Sequence, residues 1–280
     1  MMIKVLIPTD YSDYSTQAFI FTLRIFKSQA IQCHFVHAYN PNITLADEVG
    51  SGMDHELFAD KSLALEAEMK EWSKPLVSQL KEDDQLSCSV EIGSLTEVLE
   101  NKTKAGDFHF IIMGTQGATG AKEIFLGSNT VSAIKKIRTI PVIAVPESIE
   151  LNGLGKVVIA TAFKYEFTEN NLKSLMLLHR LWSFQLDIIK VNEGHQGLSA
   201  SEQKIKDDLL LLLNTVNTAY VELKKTAKVS DAIVDYALNH KSDLIALHYK
   251  RHSFLERLFR EPVVKKVAFS SMVPLLVFPN

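Results

Sequence analysis

The residues best suited to chemistry lie in one stretch, Met113 to Thr130, where Gly114, Gly117 and Gly127 follow a G-x2-G-x9-G spacing and Ser128 comes directly after. Glycine has no Cβ, so a ligand can approach the main-chain N–H groups and the chain can take unusual backbone angles. Gly127 and Ser128 stand just before a segment of helical periodicity. The first turn of a helix offers N–H groups with no partner inside the helix, and the positive end of its dipole lies behind them. Such a terminus suits an anion, and phosphate fits. Ser128 and Thr130 add hydroxyl donors. The plainer alternative is that these glycines only shape a loop and cap a helix. That reading is the better one for any single glycine, and phosphate is the better one for the whole spacing. The segment is neither the Walker pattern G-x4-G-K-[S/T] nor the dinucleotide fingerprint G-x-G-x-x-G, so both of those enzyme readings lose their main support.

A phosphate loop needs a strand before it and a helix behind it, and the chain supplies both. Apolar runs bounded by turn-formers predict strands at Ile3 to Pro8, Ile31 to Ala38, Leu86 to Ile92, Phe108 to Met113 and Pro141 to Val145. Helical spacing predicts helices over Asp13 to Lys27, from a polar loop (Asn40 to Gly52) on to about Lys81, over Leu95 to Lys104, and from about Ser128. The order then starts again. Strands are expected at Lys156 to Thr161, Phe184 to Val191, Tyr220 to Lys225, Asp243 to His248 and Val273 to Phe278, with helices at Thr168 to Leu181, Ser201 to Val216 and Asp231 to Asn239. The copies align best at their ends, where Lys135-Lys136-Ile137 and Pro141 to Pro146 parallel Lys265-Lys266-Val267 and Val273 to Pro279. The expectation is a duplicated α/β chain, residues 1–150 and 151–280, joined through Asn152-Gly153-Leu154-Gly155. Repeated β-α-β units argue for two open five-stranded parallel sheets with helices on both faces.

The Gly114-x2-Gly117-x9-Gly127-Ser128 pattern after a strand ending in Met113 resembles the ATP-binding motif of the universal stress protein family. Ile7-Pro8-Thr9-Asp10-Tyr11-Ser12 is similar to that family's opening. The resemblance covers nearly the whole chain as two tandem domains and is strongest over residues 1–146. It implies the adenine nucleotide alpha hydrolase-like fold with sheet order 3-2-1-4-5. In that order the strand sequence reverses between the first and fourth strands, and open α/β sheets bind ligands beside such a reversal. Carried over by position, Pro8, Thr9 and Asp10 line the adenosine side and Ala38 lies near the base. Met113 and Gly114 wall the ribose, and Gly117, Gly127, Ser128 and Asn129 hold the phosphates. Asn129 stands where the family often has an aliphatic residue, so its contact would come from the backbone. Asp10 could help hold Mg²⁺, since carboxylates and phosphates are that ion's usual ligands. Asp10 could equally be a plain helix-start residue, and Ala38 plain core. The family also implies that the fifth strands of the two halves pair with each other as an intramolecular pseudo-dimer, with a further homodimer open.

The second copy breaks the motif. Ala162 replaces Asp10 after Ile159-Ala160-Thr161, His248-Tyr249-Lys250-Arg251-His252 replaces the first glycines, and Arg260-Glu261-Pro262 replaces Gly127-Ser128. Bulky side chains would fill this loop and Glu261 would repel a phosphate, so ATP is expected in the first half alone. His248 and His252 lack a third ligand at metal spacing. Lys250, Arg251, Arg257 and Arg260 make either a basic surface for an acidic partner or a solvated loop.

Composition agrees with a globular protein: 46% hydrophobic, 22% charged, with 12 Gly and 8 Pro in 280 residues. A net charge of -3 with scattered basic groups gives no electrostatic case for nucleic acid or membrane binding. No apolar run approaches the ~20 residues that span a bilayer, and the N-terminal run, cut by Pro8 and Asp10, does not read as a signal peptide. Cys33 and Cys88 are expected as buried reduced thiols of a cytoplasmic protein. Nothing in the chain forms an evident catalytic set, so the expectation is a binding protein for ATP or another adenine nucleotide in stress response or signalling. Weak ATPase or autophosphorylating activity and an ATP-independent, chaperone-like scaffold are the alternatives.

Overall fold

An unbroken apolar strand is stable in a sheet only when both faces are covered. The first strand, β1 (Ile3–Pro8), is nearly of this kind, apolar but for Lys4, and its Ile3, Val5, Leu6 and Ile7 are all fully buried. The computed structural model describes residues 2–40, 55–115, 126–149, 151–192, 197–224, 229–248 and 273–279. After β1 come α1 (Asp13–Ile25), β2 (Ile31–Tyr39), α2 (His55–Val77), β3 (Gln85–Ile92), α3 (Leu95–Ala105), β4 (Phe110–Gly114), α4 (Ser128–Lys136) and β5 (Val142–Val145). The second half follows with β6 (Lys156–Ala160), α5 (Glu169–Trp182), β7 (Gln185–Asn192), α6 (Ala200–Leu212), β8 (Thr218–Lys224), α7 (Val229–Asn239), β9 (Leu244–His248) and β10 (Leu275–Phe278).

The strands lie in the order β3-β2-β1-β4-β5-β10-β9-β6-β7-β8, so each half shows the order 3-2-1-4-5. Neighbours within a half are parallel. Between the halves β5 and β10 run antiparallel, with Ile143 opposite Leu276. The two five-stranded sheets are thereby one continuous ten-stranded sheet. Left alone, β5 and β10 would each be an edge with unpaired N–H and C=O groups and apolar side chains on both faces, the kind of edge proteins cover. Each fifth strand begins one residue after its proline, Pro141 or Pro274. Proline has no N–H to give the ladder, and both prolines instead offer their carbonyls, at 3.0 Å, to Ile111 and Ile245.

Helices α1, α2, α5 and α6 cover one face, with Phe19, Met69, Leu175 and Leu209 in its core. On the other lie α3, α4 and α7, with Leu99, Ile134 and Ile233. Ser94 with Glu97, Thr168 with Asn171 and Ser199 with Glu202 form capping boxes at the starts of α3, α5 and α6. Helix α6 ends at Leu212, short of the expected Val216. Leu213 and Val216 keep the apolar spacing because they still pack on the core after the helix has turned out.

Trp182 of α5 locks the halves together by donating its Nε1–H to the carbonyl of Ile25 at 2.8 Å, and Lys27 lies 4.8 Å above its ring. Gly153 in the linker has φ +155°, and a Cβ there would lie 2.5 Å from Trp182 Cζ3. Gly153→Ala is therefore expected to cost about 2 kcal/mol, read by urea denaturation.

Cys33 is buried, and burial pushes its thiol up to about 12. Cys88 departs from expectation: it is free but exposed, because β3 is an edge strand whose outward positions meet solvent. Among the described residues no helix is long and apolar enough to cross a membrane.

Candidate functional site

The carboxyl ends of β1, β2 and β4 bring together every expected site residue that the structure describes. Pro8 and Thr9 are buried at the end of β1 and Asp10 is exposed just beyond. Met113, Gly114 and Thr115 are buried at the end of β4, and Ala38 is half-buried at the end of β2. Gly117 lies outside the described residues. The ends of its loop are nonetheless held. The Gly127 N–H donates to Thr115 O at 2.7 Å, and the buried Thr130 hydroxyl donates to Gly114 O at 2.9 Å. These two bonds dock the start of α4 against the end of β4, so the helix terminus faces the reversal between β1 and β4. Gly127 is the N-cap of α4, and among the described residues no side chain caps that end and its first turn holds no acidic residue. Gly127 has no side chain to take the part that the capping boxes play on α3, α5 and α6, and helix starts of this kind suit an anion. Ser128 and Asn129 are exposed on that first turn.

Asp10 has a structural role whatever else it does. Its Oδ1 accepts from the Ser15 hydroxyl at 3.0 Å and from the Ser12 N–H at 3.3 Å, which orders the turn into α1. Sequence reasoning missed Thr115, and it missed an aromatic pair. Tyr11 has φ +64°, rare for a bulky side chain, and its N–H donates to Thr9 Oγ1 at 2.9 Å. Its ring stacks on His37 at 4.7 Å, and His37 Nδ1 bonds the Thr9 carbonyl at 2.9 Å. Burial, with Glu68 second, raises the Tyr11 phenol above its ordinary value, so the ring stays neutral. The Tyr11-Ser12 pair was visible in sequence, but its left-handed backbone was not.

The sequence pattern of the universal stress protein family matches residues 1–146, somewhat more than half the chain. The chain belongs to that family. A universal stress protein from Archaeoglobus fulgidus DSM 4304 superposes with a TM-score of 0.67 at 18% identity, over 99% of this chain and 96% of that one. A protein of unknown function from Pseudomonas aeruginosa PAO1 superposes at 0.58 and 12% identity, over 99% and 92%. The cytoplasmic domain of a prokaryotic cation chloride cotransporter also shares the fold, with a TM-score of 0.52 and 10% identity over 100% and 96%. No curated protein matches the sequence.

The second half repeats the backbone of the first and changes the side chains. The Phe163 N–H donates to Thr161 Oγ1 at 3.0 Å and Phe163 has φ +52°, repeating the turn at Thr9 and Tyr11. Thr161 N–H bonds Ile189 O at 3.0 Å, as Thr9 N–H bonds Val36 O at 2.9 Å. Register places His248 where β4 has Gly114, and the His248 ring packs on Phe167 at 5.4 Å. Register likewise places Lys190 where β2 has His37, and Lys190, almost buried, pairs with Glu202 at 3.2 Å. The His248 ring thus stands where the first half has only Gly114, and an ion-paired lysine stands where it has His37. Tyr249 to His252, Arg257, Arg260, Glu261 and Pro262 lie outside the described residues.

Proposed function

We propose that this universal stress protein binds an adenine nucleotide, ATP first among them, in its first half and acts in stress response or signalling. The observation that carries the reading is the start of α4. Among the described residues no side chain caps its amides, and the hydrogen bonds from Gly127 N–H to Thr115 O and from the Thr130 hydroxyl to Gly114 O hold it at the strand reversal. Pro8, Thr9, Asp10 and Ala38 then take the adenosine, Met113 and Gly114 the ribose, and Gly117, Gly127, Ser128 and Asn129 the phosphates. Among the described residues no group of three or more metal-capable side chains exists. Mg²⁺ would therefore arrive with the nucleotide, whose phosphates supply oxygens, and meet the exposed Asp10 carboxylate. Residues 1–150 act as the nucleotide unit and 151–280 as its built-in partner across β5 and β10, in the cytoplasm where ATP is plentiful. The part proposed is binding, with weak ATPase or autophosphorylating activity as the alternative; among the described residues no nucleophile and base stand at the site as a catalytic pair.

Calorimetric titration of the full chain with Mg-ATP tests this. The expected result is saturable heat near one nucleotide per chain. No heat, with no nucleotide copurifying, would leave a scaffold that keeps the fold without its ligand.

A further inference from the structure

On the turn from β1 into α1, a single peptide group is held from both sides. The Thr9 carbonyl and the Asp10 N–H belong to the same peptide unit. The carbonyl bonds His37 Nδ1 at 2.9 Å, and the N–H donates to the Ser15 hydroxyl oxygen at 3.3 Å. Ser15, almost wholly buried, gives its own proton to Asp10 Oδ1 at 3.0 Å. A carbonyl oxygen only accepts, so His37 carries a proton on Nδ1. The ring that delivers this proton is itself fixed. Tyr11 stacks on it at 4.7 Å with the planes 16° apart, and the Trp72 ring of α2 lies 5.8 Å from that of Tyr11.

The second half separates the turn from this clamp. There the same turn forms, with Thr161 Oγ1 accepting from the Phe163 N–H and φ +52° at Phe163. Yet Lys190 stands at the register position of His37 and is paired with Glu202, and Ala162 stands for Asp10. The turn therefore needs neither the imidazole nor the carboxylate. Histidine occupies that position in the half that has a carboxylate to aim. A peptide unit with both polar groups held cannot rotate, so the direction in which the Asp10 side chain leaves the backbone is set before a ligand arrives. A site fixed in advance loses less affinity to ordering.

We propose that His37 is a positioning residue for the adenosine side of the nucleotide site, acting through Thr9 and Asp10, with Ser15 holding the same peptide from its other end. The role rests on the nucleotide reading above. His37 needs no contact with the ligand for it: the imidazole fixes the Thr9 carbonyl, and the fixed peptide fixes Asp10.

Calorimetric titration of the full chain with Mg-ATP tests it. His37→Ala is expected to weaken binding about tenfold, the worth of one ordinary hydrogen bond. His37→Asn keeps an N–H close to the place of Nδ1 and should restore most of the affinity, although it offers no ring for Tyr11 to stack on. With Asp10→Ala already in place, His37→Ala should add less than about threefold, because the group it aims is gone. Nitrogen NMR of the unaltered chain is expected to show the proton on His37 Nδ1, a reading that needs no variant to fold. Unchanged affinity in His37→Ala, no recovery in His37→Asn, a loss as large with Asp10→Ala as without it, or a bare Nδ1 would each overturn the proposal and leave the nucleotide reading standing. Mg-ATP that failed to bind the unaltered chain would sink that reading, and the positioning role with it.

Discussion

Gly127→Asp is expected to weaken Mg-ATP binding by about 30-fold while leaving the fold as stable as before. Aspartate is among the best N-cap residues and its charge suits the helix dipole, so α4 does not suffer from the change. The same carboxylate stands where the phosphates would meet the amides of the first turn. Repulsion between like charges at a partly exposed site comes to about 2 kcal/mol, and about 1.4 kcal/mol is a factor of ten. Calorimetry reads the affinity and urea denaturation reads the stability. The opposed signs make the pair informative, since a merely damaged helix would lose both. Undiminished affinity would move the phosphates away from α4 and break the site assignment.

Asp187→Ala is expected to cost about 2–4 kcal/mol in urea denaturation, the range for breaking a buried charged network on one side. Asp187 is almost wholly buried in β7. Its Oδ2 accepts from the Tyr236 hydroxyl at 3.0 Å and lies 3.7 Å from Lys156 Nζ, and its Oδ1 accepts from Gln185 Nε2 at 2.9 Å. Removing the carboxylate strands a buried phenol and leaves an ammonium without its partner. Burial, followed by the bond to Asp187, raises the Tyr236 phenol to about 12. Tyr236→Phe should cost less, because Asp187 keeps two donors. In the double variant Asp187→Ala with Tyr236→Phe, the loss should fall short of the sum, since the two residues share one bond.

The strands and most helices could be read in the sequence because their cause is local. An apolar run such as Lys156-Val-Val-Ile-Ala, or the helical spacing of Ala18, Phe19, Thr22 and Ile25, has to be buried wherever it stands. Boundaries were less legible where neighbours decide them, as at Leu213 and Val216. The glycine spacing pointed to the carboxyl end of β4, since a loop joining a strand to a helix must lie there. It said nothing of Thr115 or His37, because both act through partners remote in sequence.

By itself the sequence determined the duplicated α/β order, the phosphate-suited start of α4 and the loss of that motif in the second half. Each of these depends on residue type and spacing along one segment. Only the tertiary structure decided the rest. It joined ten strands through β5 and β10, exposed Cys88 at the β3 edge and stacked Tyr11 on His37. These depend on which strands become neighbours and which become edges, and pairing between distant segments is set by burying the whole sheet at once.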